Sequence, residues 1–131
     1  MPTSEASGRA TPHRLLSWAL VLGAAYDIFF ALLLFTIPDR ASRWFGLPLA
    51  EPRFYIRLLA ILLVMLGAAY LAAAHDPERY RAVVWTAALG RLAGAALFAV
   101  EAPILPTLWP LAAGDAAFGL ATAWAARGLR R

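Results

Sequence analysis

Four long apolar runs fill most of the chain, at residues 15–37, 54–74, 83–100 and 104–126, and each is broken by a single charge: Asp27, Arg57, Arg91 and Asp115. A helix rises 1.5 Å per residue, so a hydrocarbon layer of roughly 30 Å takes about 20 helical residues. All four runs approach or exceed that length. A chain of 131 residues with 62% hydrophobic and only 15% charged residues cannot hide its apolar surface in a water-soluble core. Lipid is the solvent that such a chain needs, and lipid leaves backbone groups to satisfy themselves. The spans are therefore helices. The expected fold is all-α, an integral membrane antiparallel four-helix bundle with short loops. A soluble enzyme, a disordered chain and a nucleic-acid module are excluded, and the first partner is the lipid bilayer.

Punctuation divides the chain further. Residues 1–13 are small and polar with two prolines, and read as a disordered tail. Residues 14–127 form the membrane domain, with helices expected over 15–37, 54–74, 81–100 and 104–126, and 128–131 form a basic tail. Pro38-Asp39 ends the first helix, and Asp39 then caps an interfacial turn over 39–47 that carries Trp44 and Phe45. Asp76, Pro77 and Glu78 read as N-cap, first position and first turn of the third helix. Pro103, Pro106 and Pro110 make the start of the fourth irregular. Residues 14–25 share features with a secretory leader, but the apolar run resumes beyond Asp27, which favours a spanning helix.

All twelve basic residues are arginine, and there is no cysteine. Thiolate, disulfide and Schiff-base chemistry are thereby excluded. With the N-terminus inside, Arg9, Arg14, Arg79, Arg81, Arg127, Arg130 and Arg131 face the inner side, and Arg40, Arg43 and Arg53 the outer. This bias puts both termini in the cytoplasm. Trp18, Tyr80, Trp85 and Trp124 fall at one membrane boundary, and Trp44, Tyr55 and Trp109 at the other.

An isolated charge near the bilayer centre costs about 2.5–3.5 kcal/mol on an insertion scale. Asp27, Arg57, Arg91 and Asp115 form a neutral set, which predicts mutual pairing as a buried network and a candidate polar site. The planar fork of Arg91 suits a bridge from Asp27 to Asp115. Small residues share faces with these charges: Gly23 with Asp27, Gly90 and Gly94 with Arg91, Gly119 with Asp115, and Gly67 on the second helix. Close helix packing is expected at all five glycines. The Gly90–Gly94 spacing also fits a dimerising GxxxG pattern, with packing inside the chain as the plainer reading. The prolines before Asp115 predict a cavity open to the outer face, floored by Asp115 with Arg57 or Arg91. His75, Asp76 and Glu78 have metal-ligand chemistry, but capping explains the two acids, so no metal is assigned. No catalytic residue and no cofactor is assigned either.

The four short-looped helices, the Phe45-Gly46-Leu47-Pro48 turn, Asp76-Pro77, Gly114-Asp115 and the four buried charges resemble small uncharacterised bacterial membrane proteins of the DoxX-like group. That resemblance implies a four-helix bundle in the bacterial inner membrane. Small multidrug exporters also have four helices and an acid in the first, but carry no matching arginines. The leading expectation is a non-enzymatic accessory or structural subunit of a larger membrane complex, or a homo-oligomer. The alternatives are a small transporter using Asp27 or Asp115, and a quinone- or lipid-binding protein or enzyme.

Overall fold

A computed structural model describes residues 10–48 and 50–129, and among these every regular element is helical. Helix α1 runs over Ala10–Thr36, α2 over Pro38–Phe45, α3 over Phe54–His75, α4 over Arg81–Glu101 and α5 over Trp109–Ala126. A single 3₁₀ turn, Pro106–Leu108, precedes α5. Residues 1–9 of the expected tail lie outside the described residues, as do Arg130 and Arg131 of the basic tail. Residues 10–13 are a correction: they belong to α1, where Pro12 is tolerated because the first turn needs no donor from it.

Three helices are long and apolar enough to cross a membrane, at residues 13–36, 54–75 and 81–101. The fourth expected span is shorter than its apolar run. Pro103, Pro106 and Pro110 withhold backbone donors, so regular helix begins at Trp109 and α5 has 18 residues. Pro110, Asp115 and Thr122 add polar or helix-interrupting positions within those 18 residues.

The expected interfacial turn is a real helix that starts one residue earlier, at Pro38, and ends two earlier, at Phe45. Pro38 occupies its first turn, and Asp39 acts from inside that turn, favourably placed against the helix dipole. Gly46 ends it at φ 61°, a left-handed conformation that disfavours a Cβ. The Leu47 amide donates to the Ser42 carbonyl at 3.1 Å, and the Ser42 hydroxyl donates to the Leu47 carbonyl. Asp76 caps a turn ahead of α4 rather than α4 itself: its carboxylate accepts from the Arg79 amide at 3.1 Å, and α4 opens at Arg81.

Short connections make successive long helices antiparallel. The closest associations are α1 with α3 and α4 with α5; α5 also packs on α1, and α4 more lightly on α3. Glycine sets both close approaches. A Cβ on Gly67 would lie 2.8 Å from Ile28 Cγ1 and 3.2 Å from the Ala24 carbonyl oxygen. A Cβ on Gly119 would lie 2.8 Å from Leu92 Cγ and 3.2 Å from the Ala88 carbonyl oxygen. Gly90 departs from the expectation: nothing lies within 4 Å of its would-be Cβ, because it points away from α5 while Gly94 turns inward. The two glycines of the GxxxG pattern therefore do not form one packing surface.

The interior is filled unevenly. Leu16, Leu20, Ala24, Tyr70, Ala73, Val84, Ala87 and Ala125 form one buried cluster. It occupies the start of α1, the end of α3, the start of α4 and the end of α5, all at one end of the molecule. Alanine dominates the remaining core, while large apolar side chains point outward: Phe29, Phe35, Met65, Leu97 and Val100 are all more than half exposed. A core of alanines inside a perimeter of large hydrophobics reverses the soluble pattern and suits lipid as the surrounding medium.

Candidate functional site

Where the packed end of the interior stops, three charges meet. Arg91 on α4 donates from Nη2 to Asp27 Oδ1 at 2.6 Å and from Nη1 to Asp115 Oδ1 at 2.8 Å. A longer bond of 3.4 Å runs from Nη2 to the Gly23 carbonyl oxygen. The side chains are 12% exposed for Arg91, 2% for Asp27 and 12% for Asp115, so these ion pairs are shielded from outside screening. One planar fork thus ties α1, α4 and α5 together, as the depths of these residues predicted.

Local sequence places each member. Gly23, Asp27 and Ala31 recur every four residues on the buried face of α1. On α5, Ala112, Asp115, Gly119, Thr122 and Ala126 share the inward stripe, with Asp115 its least buried member. Gly94 leaves room for the acid, since a Cβ there would come 2.9 Å from Asp115 Oδ2. Gly23 leaves room for the aromatic wall: its would-be Cβ lies 3.6 Å from the Tyr70 ring and 3.8 Å from Arg91 Nη2.

Arg57 stands apart from this set, which corrects the neutral four-charge arrangement. It is exposed and lines a different cleft, beside Arg53, because it lies one turn into α3 on the face turned away from α4 and α5. The interior set is therefore a triad of two carboxylates and one guanidinium. Among the described residues, Asp27 Oδ2 is buried with no hydrogen-bond partner. Such an atom is costly to leave unmatched.

A cavity of about 360 Å³ opens onto the triad. Tyr26, Asp27, Arg91 and Asp115 supply its polar end. Its walls are apolar: Phe30 and Leu34 from α1, Leu59 and Leu63 from α3, Phe98 from α4 and Leu111 from α5. The far side is closed by α2 and the segment after it, through Ala41, Phe45, Leu47 and Pro48. Phe45 stacks on Phe30 with ring centroids 4.9 Å apart, which fastens α2 across the opening. The cavity lies beside Asp115 and Arg91, as expected of the floor, and α2 and α3 wall it together with α1, α4 and α5.

Two residues of the site had been missed. The Arg91 guanidinium carbon sits 5.1 Å from the Tyr26 ring centroid and 6.0 Å from that of Tyr70, so both rings face the cation. Adjacency of Tyr26 to Asp27 is no signal on its own, as neighbours on a helix point about 100° apart. Tyr70, three residues after Gly67, lies on the buried face of α3 and was the readable one. Among the described residues no cluster of three or more metal-ligating side chains occurs, and His75, Asp76 and Glu78 do not form one. His13 approaches Glu78 instead, with Nε2 3.9 Å from Oε1. No protein family, curated protein or solved structure matches the chain.

Proposed function

We propose that this chain is a small polytopic membrane protein that binds an amphipathic ligand, without enzymatic chemistry, as a subunit of a larger membrane assembly. In this reading α1, α3, α4 and α5 form an antiparallel four-helix bundle in a bacterial inner membrane, with both termini cytoplasmic. The likeness to the DoxX-like group belongs to the same proposal. Support for the membrane comes from the three long apolar helices and the large side chains on the perimeter.

The single observation that carries the ligand is Asp27 Oδ2, a buried acceptor without a donor at the floor of an apolar cavity. The triad holds two carboxylates against one guanidinium, so the missing partner is a hydrogen-bond donor with positive charge. A hydrocarbon body with an amine head satisfies walls and floor together. Transport through Asp27 or Asp115 is the second reading. Against it stands the buried cluster of Leu16, Leu20, Ala24, Tyr70, Val84 and Ala125, which packs the interior at the opposite end.

Dodecylamine, dodecanol and dodecanoate separate these chemistries by thermal stability in a non-ionic detergent. The amine is expected to stabilise the protein most, by about 2.7 kcal/mol at a hundredfold excess over its dissociation constant. Asp27→Asn is expected to abolish that gain. Equal shifts for all three amphiphiles, or an amine shift that survives Asp27→Asn, refute the reading.

A further inference from the structure

A second cleft, of about 680 Å³, lies on the other side of α2, between the end of α1 and the start of α3. Four arginines line it against a single acid. Arg40 and Arg43 are three residues apart on α2, and Arg53 and Arg57 are four apart at the start of α3. At these spacings side chains share a face, and like charges there repel. Arg53 is matched by Asp39, with Nη2 2.9 Å from Oδ1. Among the described residues, Arg40, Arg43 and Arg57 have no acidic partner. Three arginines without an acidic partner on one cleft make a positively charged surface that favours an anion.

The rest of the cleft says where that anion sits. Phe35, Ile37 and Ile56 give it an apolar wall continuous with the exposed side chains of α1 and α3. On the two helices that flank it, Trp44 is 64% and Tyr55 56% exposed, amphipathic aromatics of the kind that settle at headgroup depth. The guanidinium fork matches phosphate oxygens in pairs, better than an ammonium would.

We infer that this cleft is a binding site for the phosphodiester headgroup of an anionic membrane phospholipid, held by Arg40, Arg43 and Arg57 with an acyl chain along Phe35 and Ile56. This site adjoins the cavity above Asp27 across Leu34 and Ile56, which line both, and its arginines are not part of that cavity, so it stands whether or not an amine binds there.

Native mass spectrometry of the full chain in non-ionic detergent tests it, with phosphatidylglycerol and phosphatidylcholine supplied in equal amounts. Each surface arginine contributes roughly a fivefold preference for an anionic lipid surface. The wild type is expected to retain phosphatidylglycerol over phosphatidylcholine by roughly tenfold or more. Arg40→Gln/Arg43→Gln/Arg57→Gln is expected to bring the two lipids to near parity. Arg14→Gln/Arg127→Gln, exposed at the opposite end, is expected to keep the preference. All five side chains are exposed, so the helical circular dichroism should persist, and Arg57→Gln alone provides a milder variant with a partial loss. Absence of preference in the wild type overturns the inference, as does preference surviving the triple change or lost equally in the opposite-end variant. Full displacement of phosphatidylglycerol by excess inorganic phosphate would also overturn it, because the site would then read a free anion rather than a lipid.

Discussion

Replacing Arg91 by Met removes the one cation between two buried acids. Two charge-assisted hydrogen bonds disappear, each contributing roughly 1.5–3 kcal/mol. The two carboxylates, no longer separated by the guanidinium, repel by up to about 4 kcal/mol at an effective dielectric constant of about 20. Uptake of a proton by one acid relieves part of that repulsion. The net loss should match that for breaking a buried pair, about 3–5 kcal/mol. For a chain of this size that corresponds to a melting point lower by roughly 10–20 °C. Adding Asp27→Asn and Asp115→Asn to Arg91→Met takes out both stranded charges and should recover at least half of the loss. Changing Asp27 and Arg91 alone is not enough, because Asp115 would remain unpaired at 12% exposure. The assay is equilibrium unfolding in mixed micelles, followed by circular dichroism and tryptophan fluorescence. An Arg91→Met variant within about 1 kcal/mol of wild type refutes the reasoning. So does a triple variant no more stable than Arg91→Met.

Gly67→Ala and Gly119→Ala should each cost about 1–3 kcal/mol, because each Cβ meets a neighbouring helix backbone carbonyl at 3.2 Å. Gly90→Ala should be neutral or stabilising by up to about 1 kcal/mol, since its Cβ meets nothing; parity among the three in thermal unfolding would contradict the packing. Gly46→Ala forces a Cβ into the left-handed region and to 2.9 Å from Thr107 Cγ2. Amide exchange should then speed up across α2 while α3 and α4 keep their protection, and uniform acceleration would show that α2 is not a separate unit. In a background without cysteine, Ala50→Cys should react with an impermeant thiol reagent on intact cells and Ala82→Cys only after lysis; the reverse result inverts the proposed orientation.

Depth and charge were legible in the sequence. Asp27, Arg91 and Asp115 each sit alone in an apolar run, and a helix rise of 1.5 Å per residue fixes their levels along the chain. Close approach at a small residue was legible at Gly23, Gly67, Gly94 and Gly119. Arg57 and Gly90 failed for one reason. A position along a helix gives depth, but its rotation toward a given neighbour depends on the packing of the whole molecule. Arg57 faces the α2 side and Gly90 faces outward, and no local rule distinguishes them from Arg91 and Gly94. The role of α2 was half legible: Pro38, Trp44 and Gly46 announce a short surface helix, but its closure over the cavity rests on the Phe45–Phe30 contact, which links positions fifteen residues apart.

The two ends of the molecule differ because their backbones differ. At the end that holds the start of α1, the helices pack closely through Leu16, Leu20, Ala24, Ala73, Val84 and Ala87 in the interior. At the other end, Pro38, Pro48, Pro52, Pro103, Pro106 and Pro110 interrupt the chain, and the elements that follow cannot close onto each other along their full length. Arg91 lies on the boundary. It reaches across the interior to α1, on which α4 does not otherwise pack extensively, and to α5 on the near side. Its fork holds the helices at the separation that keeps the cavity open above it. A shorter residue there would remove charge and spacing together. The triad therefore has two faces: the bonds to Oδ1 of each acid tie the three helices together, and the unmatched Oδ2 of Asp27 is the atom on which the proposed ligand depends.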